Sequence, residues 1–213
     1  MTVTKRHLAG SARAVLCNSG NANTCNADGI EVAEAMCSAT ANVLGISPSD
    51  VVVASTGVIG QPLDPTPIKN ALPDLANGLG DHSDLAAEAI MTTDTEAKEI
   101  AFRFTVGGKE CRIGGIAKGS GMIHPNLATM LVFITTDCAI SADLLQKALS
   151  SDVRNSFNMV SVDGDTSTND MVTVLANGCA GNAPITEAGA DFDAFCAALN
   201  AVTVWLCRRI AGD

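Results

Sequence analysis

The chain has no tyrosine, and aromatic residues make up only 3% of its 213 positions. Its core must therefore be aliphatic and rich in alanine. Basic residues are also few: 13 Lys and Arg stand against 23 Asp and Glu, a formal net charge of −10. Such an acidic balance disfavours nucleic acid and anionic membranes as partners. Charged residues of both signs are 17% of the chain and hydrophobic ones 47%. That excludes a disordered chain and suits one large domain or two small ones. No apolar run reaches the length of a membrane span, and the opening MTVTKRHLAGSARAV lacks the continuous apolar stretch of a signal peptide. Eight cysteines are present, at 17, 25, 37, 111, 138, 179, 196 and 207, but no C-x-x-C and no Cys/His group with zinc spacing. They are expected to be reduced and buried as small hydrophobes, in a cytoplasmic protein with no metal site.

The most informative stretch is Lys118 to Asp137, KGSGMIHPNLATMLVFITTD. A glycine-rich turn, Gly119-Ser120-Gly121, follows a lysine, and Pro125 stops any helix. Met130 to Ile134 is an apolar run of strand length, and Thr129 stands where loop meets strand. A residue at the edge of a buried strand is held in one place, which suits a nucleophile. A threonine hydroxyl becomes a useful nucleophile when the threonine is an N-terminus and its own α-amine, with a pKa of about 8, takes the proton. That would require cleavage between Ala128 and Thr129. Spacing alone favours the plainer alternative, a glycine loop leading into an ordinary core strand.

Around this stretch the periodicity predicts alternating strands and helices. Strands are expected over 12–17, 51–54, 130–134 and 171–176, with a hairpin of 100–106 and 110–116 about Gly107-Gly108. Helices are expected over 28–44, closed by Gly45, and over 65–79, 84–91, 141–149 with Ser141 as cap, and 192–210. The first helix should bury Ile30, Ala33, Met36, Ala39 and Val43. The last presents Phe195, Leu199, Val202, Leu206 and Ile210 on one face, for which a partner segment is expected outside this sequence. Asn18 to Asn23 reads as a structural turn slightly more readily than as a substrate contact. Asp163 to Asp170 fails as a calcium loop, because positions six and twelve hold Thr168 and Val174. It reads as a hydrogen-bonded brace for the site, with a direct role left open.

The segment KGSGMIHPNLATML resembles the self-cleavage segment of the ornithine acetyltransferase family, the bifunctional glutamate N-acetyltransferases of arginine biosynthesis. Five more blocks resemble that family in its own order: Asn18 to Asn23, Ser55 to Gly60, Thr92 to Thr95, Ser156 to Asn158, and Val162 to Asp170. The resemblance covers nearly the whole chain. It implies an α+β fold, an α/β/β/α layered sandwich of the self-cleaving N-terminal-nucleophile type. It also implies a chain divided into 1–128 and 129–213 within one partial domain, 1–213. Thr129 would be the nucleophile and a substrate contact. Thr56 and Gly57 would be the oxyanion hole, since a hydroxyl and a backbone N–H are the fixed donors such a hole needs. Spacing alone makes them a strand-end turn. Lys118 would bind substrate, a cation suited to a carboxylate. A threonine of Thr92 to Thr95 would join it, taken here as Thr95 by its spacing from Lys118.

The activity implied is ping-pong transfer of acetyl from N-acetylornithine to glutamate, releasing ornithine, in an α2β2 assembly. No cofactor is required, and acetyl-CoA is a further donor in the bifunctional type. Family members are about twice this length, so an N-terminal portion and C-terminal substrate contacts are expected to be absent, and Gly20 to Ala27 departs from the family pattern. The alternatives are an N-terminal-nucleophile aminopeptidase of the same fold, or a non-catalytic remnant.

Overall fold

The computed structural model describes every residue except Met1, 8–10, Met122, 124–129, Thr166 and Thr168. The chain folds as two compact units, Met1–Thr92 and Thr93–Asp213.

In the first unit, β1 (Ala14–Asn18) and β2 (Val51–Ser55) pair in parallel, Ala14 opposite Val51 and Asn18 opposite Ser55. Parallel strands need a crossover, and α2 (Gly29–Leu44) supplies it, ending at Gly45 as the spacing predicts. The α2 stripe is rotated from the expected one. Ala33 and Met36 are buried as expected, but Val32, Cys37 and Ala41 join them, whereas Ile30 and Val43 are 44% and 40% exposed. The core joins Leu16, Val32, Met36, Val51, Val53, Leu63 and Leu72. A short helix, α1 (Thr2–His7), is not legible in the sequence. It is held through its side chains: Thr4 Oγ1 donates to the Val53 carbonyl and His7 Nδ1 meets the Val51 carbonyl, both at 2.8 Å. Two surface helices follow, α3 (Thr66–Asn77) and α4 (Ser83–Ala89).

The second unit is a four-stranded sheet, β3 (Lys98–Val106), β4 (Lys109–Lys118), β5 (Leu131–Thr136) and β6 (Met171–Ala176), in that order. β3, β4 and β5 are antiparallel neighbours, and β6 joins β5 in parallel. Gly107 and Gly108, with φ of +54° and +77°, make the two-residue hairpin turn that the sequence predicts. Positive φ at both central positions matches the right-handed twist of the flanking strands. The crossover from β5 to β6 carries α5 (Ala142–Asp152). Ser141 sits at the N-cap position of α5 in extended backbone but makes no side-chain capping bond, contrary to the expected cap.

The long helix α6 (Ala190–Gly212) packs on β3 and β4. Its buried stripe is the expected one, with Phe195, Leu199, Val202 and Leu206 wholly out of solvent. Each such side chain stabilises by about 1.5–3 kcal/mol. The sheet itself is therefore the partner of this face, and the expectation of an outside segment is corrected. By length and composition alone α6 could cross a membrane, again contrary to the sequence expectation, but its apolar stripe lies in this core. Of the cysteines, Cys37, Cys111, Cys138 and Cys207 are buried, while Cys25 and Cys179 are exposed against expectation. All eight are free thiols, and burial pushes Cys37 up to about 11 and Cys138 up to about 12. The fold class is α+β, with helices layered on sheet, as the sequence leads one to expect.

Candidate functional site

β2 delivers Thr56 and Gly57 at its end, and the Asn18–Asn23 loop packs against them. The Thr56 N–H donates to the Asn18 carbonyl at 3.0 Å, and the Val58 N–H donates to the Gly20 carbonyl at 3.1 Å. Gly57 has a φ of +122°. A Cβ placed there would overlap the Gly20 carbonyl group and stand 2.7 Å from the Asn21 nitrogen. No other residue fits this contact. Thr56 is 1% exposed. The Gly57 N–H has no acceptor among the described residues. The asparagine loop is thus a structural wall for the turn, the role the sequence slightly favours. Its Asn18, Asn21 and Asn23 side-chain oxygens have no partner among the described residues.

In the second unit, β4 ends at Lys118, which pairs across the sheet with Leu131 of β5. Its ammonium is 2% exposed and faces Asp94 Oδ2 at 3.8 Å. Asp94 also accepts from the Gly119 N–H at 2.6 Å and from Lys98 Nζ at 2.9 Å. Lys98, wholly buried at the start of β3, completes a row by pairing with Asp213. The row Asp213, Lys98, Asp94, Lys118 alternates in sign, which is how buried charges are tolerated. Sequence reasoning misses Asp94, Lys98 and Asp213. The Asp94–Lys98 spacing lies on no helix, and Asp213 comes from 115 residues further along the chain than Lys98.

Thr95 is exposed, and its N–H donates to the Asp213 carboxylate at 3.0 Å, with its hydroxyl bonded to the same group. Thr93 touches the glycine turn, its hydroxyl 2.7 Å from that of Ser120. Burial pushes the Asp213 carboxyl up, but Lys98 and the Thr95 hydroxyl and N–H more than offset this and hold it at about 2. An unfolded aspartate titrates at about 3.9. A lowered folded value contributes stability that is complete above pH about 4 and lost as pH falls through about 2. The unfolding midpoint of the wild-type chain should therefore fall more steeply from pH 4 to pH 2 than that of Asp213→Asn. Parallel curves for the two would show that the pairing contributes nothing.

Ala128 and Thr129 lie outside the described residues, with His124, Pro125 and Asn126. Their flanks are described. Asp163 Oδ1 accepts from the Ile123 N–H at 3.0 Å, and Asp170 Oδ1 accepts from the Met130 N–H at 3.4 Å. The 163–170 loop therefore braces the segment at both described ends. Within the loop, Ser167 donates to Asn169 Oδ1 at 2.9 Å. Next to Met130 opens a cavity of about 270 Å³, lined by Phe157, Asn158, Asp170 and Met171 among others. Ser156 and Phe157 are 2% exposed and act in packing, with the Ser156 hydroxyl bonded to Asp152.

The family model for ArgJ matches residues 1–213. The chain is 50% identical over 214 residues to the arginine biosynthesis bifunctional protein ArgJ of Listeria monocytogenes, covering 99% of this chain and 54% of that protein. It is 51% identical over 206 residues to the protein of the same name from Symbiobacterium thermophilum, covering 96% and 51%. Among solved structures, the arginine biosynthesis bifunctional protein argJ of Bacillus halodurans matches at 37% identity and a TM-score of 0.53, covering 59% of this chain and 68% of that one. The chain spans about half the length of the relatives it matches. An identity near one half along nearly all of the chain leaves one assignment: the chain belongs to the ArgJ family.

Proposed function

We propose that the chain carries the acyl-transfer half of an enzyme that moves the acetyl group of N-acetylornithine to glutamate in arginine biosynthesis. Thr129 is the nucleophile, exposed as an N-terminus by cleavage after Ala128, so that one ornithine acetyltransferase-like domain works as two parts, 1–128 and 129–213. Thr56 and Gly57 form the oxyanion hole. Lys118 binds the carboxylate of the substrate, and Thr95 is a further substrate contact. The reaction is ping-pong and needs no cofactor, and acetyl-CoA is a second acetyl donor. The working assembly is α2β2 and cytoplasmic.

The observation that carries this reading is the family match, in which relatives named as bifunctional arginine biosynthesis proteins share half of their matched residues with this chain. The geometry supports it. A buried lysine and a glycine turn end β4 directly across from the residues that follow position 129.

The experiment is an assay with N-acetylornithine and glutamate. The protein is this chain completed with the residues that the Listeria relative carries outside the matched span. Formation of N-acetylglutamate is the expected result. Hydrolysis of peptide amides without transfer would replace the reading by an aminopeptidase, and neither activity would make the chain a non-catalytic remnant.

A further inference from the structure

We propose that Asp94 is a positioning residue of this transfer site. It holds the Lys118 ammonium and the Gly119 N–H at the mouth of the glycine turn, while Lys98, itself paired with Asp213, holds its own carboxylate in place. The inference rests on the reading of Lys118 as the cation that meets the substrate's carboxylate.

A buried Asp–Lys pair by itself would be an ordinary structural feature, and such pairs contribute little net stability. Asp94 does more than neutralise Lys98. One oxygen accepts both from Lys98 Nζ, at 2.9 Å, and from the Gly119 N–H, at 2.6 Å. The other faces Lys118 Nζ at 3.8 Å. Its neighbour Thr93 adds a second hold on the same turn through Ser120. Residues 93 and 94 thus grip residues 118, 119 and 120 by three contacts. Lys98 lies opposite Ala117 in the β3–β4 register, so the sheet itself sets how far Asp94 stands from the end of β4. The four charged groups sum to zero, so the row adds no net charge to the interior.

The chemistry this performs is preorganisation. A cation that must meet a carboxylate binds it best when the cation is already in place, because ordering it then costs nothing at the moment of binding. At 2% exposure Lys118 has little water to support its charge. A charge held out of water is costly unless an opposite charge faces it, and Asp94 is that facing charge. Losing Asp94's charge therefore weakens substrate binding, although one negative charge has been removed from near the site.

The test uses Asp94→Asn and the double variant Asp94→Asn/Lys98→Met, each in the completed protein. Asparagine still accepts from the Gly119 N–H but does not face Lys118 with a charge. The single variant should raise the KM for N-acetylornithine at least about tenfold, with kcat within about threefold. The double variant removes one charge of each sign and leaves Lys118 with Asp213, so it stays neutral and should fold even where the single variant does not. Its KM should remain raised. If Asp94 serves only to neutralise Lys98, the double variant returns to the wild-type KM, and the proposal is overturned. An unchanged KM in the single variant overturns it as well, as does failure of both variants to fold, which makes the pair purely structural. A wild-type protein that transfers nothing sinks the reading of the site and this inference with it. Where the wild-type protein transfers normally, any of the adverse results above counts against Asp94 alone.

Discussion

Thr129→Ala in the completed protein is expected to leave a single uncut polypeptide and no acetyl transfer. In the proposed mechanism both losses come from one hydroxyl. In the cleavage step, Thr129 Oγ attacks the Ala128 carbonyl carbon, forming an ester as the Ala128–Thr129 amide breaks and frees the threonine amine. Water then hydrolyses the ester, leaving a carboxylate on Ala128. In the transfer step the freed amine takes the proton of Oγ, which attacks the acetyl carbonyl of N-acetylornithine. Ornithine leaves with that proton, and the glutamate amine then takes the acetyl group from the threonine ester while its own proton passes by way of the threonine amine to the released Oγ. Near-attack positioning supplies much of the rate in such steps. The bonds from Asp163 to Ile123 and from Asp170 to Met130 hold the described flanks of the segment for it. Thr129→Ser should keep part of both activities, since the hydroxyl remains. Denaturing electrophoresis with mass measurement of the pieces, beside an assay for N-acetylglutamate, reads the outcome. Splitting between 128 and 129 in the alanine variant, or transfer by it, would remove Thr129 from the chemistry.

The second large effect is expected at Thr56. Thr56→Ala should lower kcat by roughly 10²–10³, the usual loss for one oxyanion-hole donor. The fold should tolerate the change, because the contact that ties this residue to the asparagine loop is made by its backbone, from the Thr56 N–H to the Asn18 carbonyl. Thr56→Ser restores the hydroxyl and should recover most of the rate. A hydroxyl that acts on the transition state alone moves kcat and leaves KM nearly fixed. A kcat within threefold of wild type in Thr56→Ala would remove the hydroxyl from the mechanism.

Local signals are legible in the sequence. Gly107-Gly108 between two alternating runs is a hairpin because a two-residue turn with positive φ at both positions suits glycine. The five apolar positions of α6 face the core because their spacing leaves one stripe. What is illegible depends on partners distant in the chain. The α1 helix has no capping pattern, and it forms through Thr4 and His7, which bond to carbonyls of β2 more than 40 residues on. Lys98 looks like an exposed strand start, yet it is wholly buried because Asp94 and Asp213 receive its charge. The α2 stripe falls a step from its expected place because the spacing that includes Ile30 and Val43 competes with one that includes Val32 and Cys37, and only the β-layer beneath decides between them. Of the candidate residues, the blocks around Lys118 in one unit and Thr56 in the other are each visible as motifs. The aspartate that links Thr93 to Lys118 in space is visible only as a neighbour of the threonines.

The β4–β5 pairing has a consequence for the molecularity of the fold. Six register pairs, from Ile113 opposite Thr136 to Lys118 opposite Leu131, join residues on either side of positions 128 and 129. In an uncut chain this is contact within one polypeptide, and its closure is a unimolecular event. If the chain is cut after Ala128 as proposed, the same sheet would be shared by two polypeptides, with β3 and β4 in one and β5, β6 and α6 in the other. The central ladder of the second unit would then become a subunit interface, and so would the packing of α6 on β3 and β4. Reassembly after unfolding would be second order, and the unit's persistence in dilute solution would depend on how slowly its two pieces part.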